Sequence, residues 1–258
     1  MLFADTVLAR RIEAAEAATG RGCAAHQPGA AFLEAGGGVA FFLGPDSPLT
    51  HAVGMGLNGP VRVAELDAVE AFFRSRGARV TIDLCPLTDP AFLAALAERG
   101  YHPSEFNNVL VKPLAGMEIG PAPKVRLAGD EECDVWARTV GQGFFEQDDL
   151  TEDEINVGRA IFSMPGARCY LAVADSGENA GGGALAVNHG LATLFADSTI
   201  ARFRRQGLHL ALISVRLREA LAQGCDLATA STLPGSASQR NYERMGFRVV
   251  YTKIVMVG

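Results

Sequence analysis

Paired cysteines are the first thing this sequence lacks. Five occur in 258 residues, Cys23, Cys85, Cys133, Cys169 and Cys225. Their wide spacing, odd number and lack of any Cys-x-x-Cys pair argue against a disulfide framework or a zinc site, and predict reduced thiols and no metal centre. A basic excess is missing too. With 23 Lys and Arg against 29 Asp and Glu, the net charge of −6 argues against a nucleic-acid surface. No stretch reaches the roughly 18 consecutive apolar residues of a membrane span, and Met1-Leu2-Phe3-Ala4-Asp5 shows no basic segment ahead of an apolar run. These absences predict a soluble, cytoplasmic chain with neither membrane nor nucleic acid as partner. What is abundant points the same way. Apolar residues make up 48% and charged residues 20%, enough for a sizeable core, and the length accommodates two domains of about 100 to 150 residues.

Periodicity divides the chain into two similar halves. Helical spacing over 6–18 stops at Gly20, and strands over 30–34 and 39–43 are joined by the glycine run 35–38. A third strand is expected over 50–55, then a helix over 64–76, a strand over 79–84, a helix over 90–98 and a strand over 108–112. Residues 116–123, rich in Pro and Gly without periodicity, read as a linker between domains 1–115 and 124–258. The second half restarts with a strand at 125–128 and a helix from Asp130 to about 140. An aromatic loop at Phe144-Phe145-Glu146 follows, then a helix from the capping box Thr151-x-x-Glu154. Three antiparallel strands are expected over 169–174, 181–188 and 191–199. A helix over 208–223 comes next, with Arg216, Glu219 and Gln223 as its polar, solvent-facing stripe. Strand 226–230, helix 238–244 and strand 247–256 complete the half. Each half closes on a short helix, a glycine with an aromatic after it (Gly100-Tyr101; Gly246-Phe247) and a last strand, which suggests duplication.

Two stretches carry candidate chemistry. Gly54-Met55-Gly56-Leu57-Asn58-Gly59 spells G-x-G-x-x-G, with an acid, Asp83, on a later strand. That pattern suits a dinucleotide whose pyrophosphate meets a helix N-terminus. Pro60 and the late start of the amphipathic run place the helix beyond the motif, however, and a glycine-rich strand end is the plainer reading. The stretch 193–247 is richer. An apolar strand runs through Asp197-Ser198-Thr199 into Arg204-Arg205-Gln206-Gly207 and a long helix begins at Leu208. A basic, glycine-containing turn feeding a helix N-terminus is an anion site, because the first backbone N–H groups of a helix lack intrahelical partners. The histidines His26, His51, His102 and His189 show no ligand spacing.

The second half, over roughly 125–256, resembles the GNAT superfamily of acetyl-CoA-dependent N-acetyltransferases. Three features carry the resemblance in order: the strand 191–199, Arg204-x-x-Gly207-x-His209, and Tyr242-Glu243-Arg244-Met245-Gly246-Phe247. The resemblance implies an α/β (α+β) fold of two GNAT-like units, each a mixed, mostly antiparallel central sheet flanked by helices. The first unit has no basic turn and is expected to have lost the cofactor site. In the second, the resemblance implies acetyl-CoA on Asp197, Ser198, Thr199, Arg204, Arg205, Gln206, Gly207, Leu208 and His209. His209 stands where the pattern expects a small residue, and it either crowds the phosphate or bonds to it. Tyr242 falls on the general-acid position, with packing as its plainer role; Asp197 and Glu146 are candidate bases. The expected reaction is acetyl transfer to the amine of a small molecule or peptide, by direct attack in a ternary complex. The acceptor would lie near Phe144, Phe145 and Glu146, and the chain would be a monomer or homodimer. A non-catalytic acyl-CoA-binding protein is the alternative from another class.

Overall fold

The computed structural model describes residues 4–117, 120, 122 and 124–258. Of the expected linker, Glu118, Ile119, Pro121 and Pro123 lie outside the described residues. The chain forms two compact units. Unit 1 takes Met1–Val109, Ser231–Pro234 and Val249–Gly258, and unit 2 takes Leu110–Ala230 and Gly235–Arg248.

Unit 1 opens with helix α1 (Thr6–His26), capped by the Asp5 side chain on the Leu8 N–H. The helix runs eight residues past its expected end at 18, straight through Gly20. A Cβ there would sit 2.5 Å from the Phe41 ring, so this glycine permits close packing and does not end the helix. Strands β1 (Ala31–Ala35) and β2 (Gly38–Phe42) form the expected hairpin. Its two-residue turn is Gly36-Gly37, both at positive φ, as a primed hairpin turn demands. Then come β3 (Ala52–Val53), α2 (Val63–Arg74), β4 (Thr81–Leu84), α3 (Pro90–Glu98) and β5 (His102–Pro113). The strand order is β1-β2-β3-β4, then β11 (Arg248–Val257), then β5. β11 pairs antiparallel with β4, Ile254 opposite Leu84 and Val257 opposite Thr81. This ladder places the last strand of the chain in unit 1. Leu66, Val69, Phe73, Ile82, Phe92, Leu96 and Met256 fill the core.

Unit 2 continues with β6 (Val125–Leu127), α4 (Cys133–Phe145), α5 (Glu152–Phe162) and β7 (Arg168–Val173). After them come β8 (Asn179–Asn188), β9 (Leu191–Thr199), α6 (Leu208–Ala222), β10 (Leu227–Thr232) and α7 (Ala237–Arg244). The order is β10-β9-β8-β7-β6, with β10 and β9 parallel and the other pairs antiparallel. Leu110, at the end of β5, accepts a hydrogen bond from Thr229 Oγ1 on β10 at 3.1 Å. The expected aromatic loop at Phe144 and Phe145 is instead the last turn of α4, which Glu146 ends in the left-handed conformation.

Two of three consecutive glycines in β8 set the helix packing. A Cβ on Gly182 would meet Val140 and Trp136 of α4, and one on Gly183 would meet Arg216 of α6 at 2.9 Å. Successive strand residues face opposite ways, so α4 and α6 cover opposite faces and both approach closer than a side chain allows. Gly183→Val should therefore drive the Arg216 guanidinium off its seat and destabilise unit 2 by about 2 kcal/mol or more. Urea unfolding followed by Trp136, the single tryptophan, measures this.

Candidate active site

Strand β9 departs from regular pairing where it matters chemically. Gly182 pairs with Ser198 and Ala184 with Phe195, so Gly183 opposes both Ala196 and Asp197. Ala196 takes up the extra residue at φ 54. Such a bulge re-aims the side chain that follows it. Here it delivers Asp197 to the α6 face, where Arg216 lies wholly buried.

Arg216 corrects the expectation of a solvent-facing stripe. It donates to Leu212 O at 3.1 Å, Ala184 O at 3.0 Å and Phe195 O at 3.3 Å, and its Nη2 donates to Asp197 Oδ1. The Tyr242 hydroxyl donates to the other carboxylate oxygen, Oδ2. Tyr242 is 1% exposed and packs edge-on against Phe247 and His209. Burial opposes the charge on Asp197, but the guanidinium and His209 outweigh it and hold the carboxyl below the usual range. Burial and the Asp197 charge together push the Tyr242 phenol well above 10. Asp197 is thus a weak base, and its geometry is that of a holder.

His209 belongs to the same group. Its Nδ1 lies 3.0 Å from Asn241 Nδ2, while Asn241 Oδ1 accepts from Arg244 at 3.2 Å. With that oxygen occupied, the amide nitrogen is the donor toward His209 and the imidazole carries its hydrogen on Nε2. That nitrogen faces Asp197 Oδ1 at 3.4 Å, beyond a good hydrogen bond. The ring turns toward this buried network, while His209 also lines the cleft at the helix end.

The anion turn forms as the sequence suggests. A short 3-10 turn (Ala201–Phe203) leads to Arg204, then Arg205 and Gly207 both adopt positive φ, 65 and 77. The first α6 hydrogen bond, from Ala211 N to Gly207 O, leaves the N–H groups of Leu208, His209 and Leu210 outside the helical ladder. They open on a cleft of about 810 Å³ in unit 2. Ser198, Thr199, Arg204, Arg205, Gly207, Leu208, Asp197 and His209 line it, as does Glu146; Gln206 and Tyr242 are not among the lining residues. Arg204 is partly committed, donating to Thr199 O at 3.1 Å and to Glu146 Oε1 at 2.7 Å. Arg240, Asn241 and Arg244 of α7 also line the cleft. Sequence reasoning did not assign them, although their i, i+1, i+4 spacing sets them on one side of a short helix. Four arginines against two acids make the cleft cationic in a chain of net charge −6.

The glycine motif of unit 1 is used differently. Gly56 N–H donates to Gly36 O and Gly56 O accepts from Asp89 N–H, while Thr88 Oγ1 donates to Met55 O. A Cβ on Gly56 would come within 2.1 Å of Thr88 Oγ1. Helix α2 begins only at Val63, so no helix N-terminus meets these glycines, and Asp83 is buried beside His51. The motif packs loop on loop, as its plainer reading holds.

No protein-family model matches the chain, and no curated protein does. Solved structures do. A GCN5-related N-acetyltransferase from Kribbella flavida aligns over 96% of this chain and 95% of its own, at 19% identity and a TM-score of 0.69. This chain has the GNAT fold. A tandem GNAT protein from the clavulanic acid biosynthesis pathway, solved without AcCoA, aligns over 98% of this chain and 93% of its own, at 18% identity and a TM-score of 0.62. A GCN5-related N-acetyltransferase from Sphaerobacter thermophilus aligns over 89% of this chain and 75% of its own, at 16% identity and a TM-score of 0.58. The expected fold class, a mixed and mostly antiparallel sheet flanked by helices, is the observed one. Among the described residues no helix is long and apolar enough to cross a membrane.

Proposed function

We propose that unit 2 binds acetyl-CoA in the cleft at the start of α6 and transfers the acetyl group to the amine of a small molecule or peptide. The observation that carries this reading is the helix N-terminus itself: Gly207 in the left-handed conformation, three N–H groups outside the ladder, and arginines from two elements around them. A pyrophosphate suits that arrangement. A second observation supports the fit. The β9–β10 pairing runs over Leu191–Thr193, and Ser198 and Thr199, farther along β9, line the cleft, where strand backbone can meet an extended arm. Leu208 to Leu210 would hold the phosphates with Arg205, and Ser198 and Thr199 would meet the pantetheine arm.

When bound, the thioester supplies an activated acyl group; the protein's part is positioning and proton traffic. Tyr242 keeps a proton on its hydroxyl, held against Asp197 Oδ2 and off the cleft lining; in this reading the hydroxyl turns from that carboxylate into the cleft to give its proton to the departing sulfur. Asp197, kept anionic by Arg216, positions the phenol. Glu146 lines the cleft as an exposed carboxylate with Oε1 on Arg204, and it takes the proton of the attacking amine. Tyr242→Phe is expected to lower kcat about 10²-fold or more with CoA affinity unchanged, checked by steady-state rates alongside calorimetry. Equal kcat would reduce Tyr242 to a packing residue.

A second reading is a non-catalytic acyl-CoA-binding protein. It is favoured by the commitment of all three candidate groups, Tyr242 and Asp197 to each other and Glu146 to Arg204. Calorimetric titration with CoA, followed by a broad amine screen with acetyl-CoA, separates the two. Binding with turnover supports the enzyme, binding without turnover on any amine supports the second reading, and no binding overturns both.

A further inference from the structure

Unit 1 contains a polar group that acetyl transfer in unit 2 does not use. Glu16 on α1, His51 just ahead of β3 and Asp83 on β4 bring one ligand atom each to within 4.8 Å of one another. We propose that these three side chains bind one divalent transition-metal ion of the zinc class.

Asp83 points to it first. The residue is 8% exposed, yet among the described residues its carboxylate has a single polar contact, His51 Nδ1 at 3.4 Å. That is too long for a good charge-assisted hydrogen bond, which closes to about 2.7–2.9 Å. Two donor atoms on a tetrahedral ion at about 2.1 Å each stand about 3.4 Å apart. A buried carboxylate and an imidazole are therefore held at the separation that a shared ion sets.

The surroundings suit a dication. Lys253 Nζ donates to Glu16 Oε2 and lies 3.1 Å from Glu13 Oε1, which also accepts from the Tyr251 hydroxyl at 2.8 Å. Such contacts orient a ligating carboxylate from behind. Three carboxylates, Glu13, Glu16 and Asp83, stand against one ammonium, Lys253. One imidazole with two carboxylates selects zinc, manganese, iron or cobalt over calcium and magnesium, which prefer all-oxygen shells. The ion would tie α1, the segment entering β3 and β4 together within unit 1. The three residues lie 35 and 32 positions apart in sequence, which is why linear spacing shows nothing.

The test uses the full chain dialysed against a chelator, with ZnCl₂ and CoCl₂ as probes. One Zn²⁺ per chain with a Kd at or below about 10 μM, a raised Tm, and visible Co²⁺ bands saturating at one equivalent support the site. His51→Gln and Asp83→Asn should each weaken binding about tenfold or more while circular dichroism shows them folded. The Co²⁺ spectrum of the unaltered chain stands even if a variant fails to fold. No cobalt bands, Zn²⁺ binding within twofold of the original in folded His51→Gln, or tighter binding of Ca²⁺ than of Zn²⁺ would each overturn it.

Discussion

Arg216→Met is expected to lower the unfolding free energy of unit 2 by about 3–5 kcal/mol at neutral pH, the usual cost of leaving a buried charge unpaired. Arg216 is wholly buried and binds three carbonyls and Asp197. Methionine matches much of its length but offers no donor, so Asp197 keeps only Tyr242 and the longer contact to His209. The pH dependence gives the sign. In the unaltered chain the Asp197 carboxyl lies below its ordinary value of 3.8, so its contribution is full above that value and fades only as the pH falls through the lowered one. In Arg216→Met burial acts without the guanidinium, the carboxyl titrates higher, and protonation relieves the unpaired charge. The deficit should therefore narrow as the pH falls from 7 toward 4. Trp136 is buried in unit 2, so its fluorescence in urea at several pH values reads this unit. A deficit that widens with acid would contradict the pairing.

Gly207→Glu is expected to weaken CoA binding about hundredfold or more. No atom lies within 4 Å of a Cβ placed there, so the variant's main structural penalty is the positive φ, about 1–2 kcal/mol for a residue with a Cβ. The larger effect is electrostatic, a carboxylate where a pyrophosphate should meet free N–H groups. Gly207→Asn separates the two contributions, since asparagine tolerates this backbone conformation and brings no charge. It should retain CoA binding within about tenfold. Calorimetric titration of both variants checks this, and equal losses would assign the effect to backbone shape alone.

Local signals carried most of the elements. The capping box at Thr151 and Glu154, the Gly36-Gly37 hairpin and the proline-led helix from Pro90 lie within ±1–2 residues of expectation, because each end is set by groups close in sequence. Gly20 was misleading because the same residue ends helices or admits a neighbour, and the neighbour, Phe41, is 21 residues away. The anion turn at Arg204 to Gly207 was legible as a basic, glycine-containing entry to a helix. Arg216 was not, since an arginine on a helix with apolar flanks reads as solvated. Its signal was on strand β8, in Gly183, whose missing Cβ clears space for it. The bulge that turns Asp197 inward has no glycine at its strained residue, Ala196, and so left no mark in the sequence. The contacts of the His209 ring with Asn241 and Asp197 were not legible either, since Asn241 lies on α7, more than thirty residues on.

A crystal structure of the full chain grown with CoA tests the central claim most directly. The expected result is one CoA in unit 2, its pyrophosphate on the N–H groups of Leu208, His209 and Leu210 and its pantetheine arm beside Ser198 and Thr199. A nucleotide seated instead on Gly54 to Gly59, or CoA bound away from the start of α6, would contradict it.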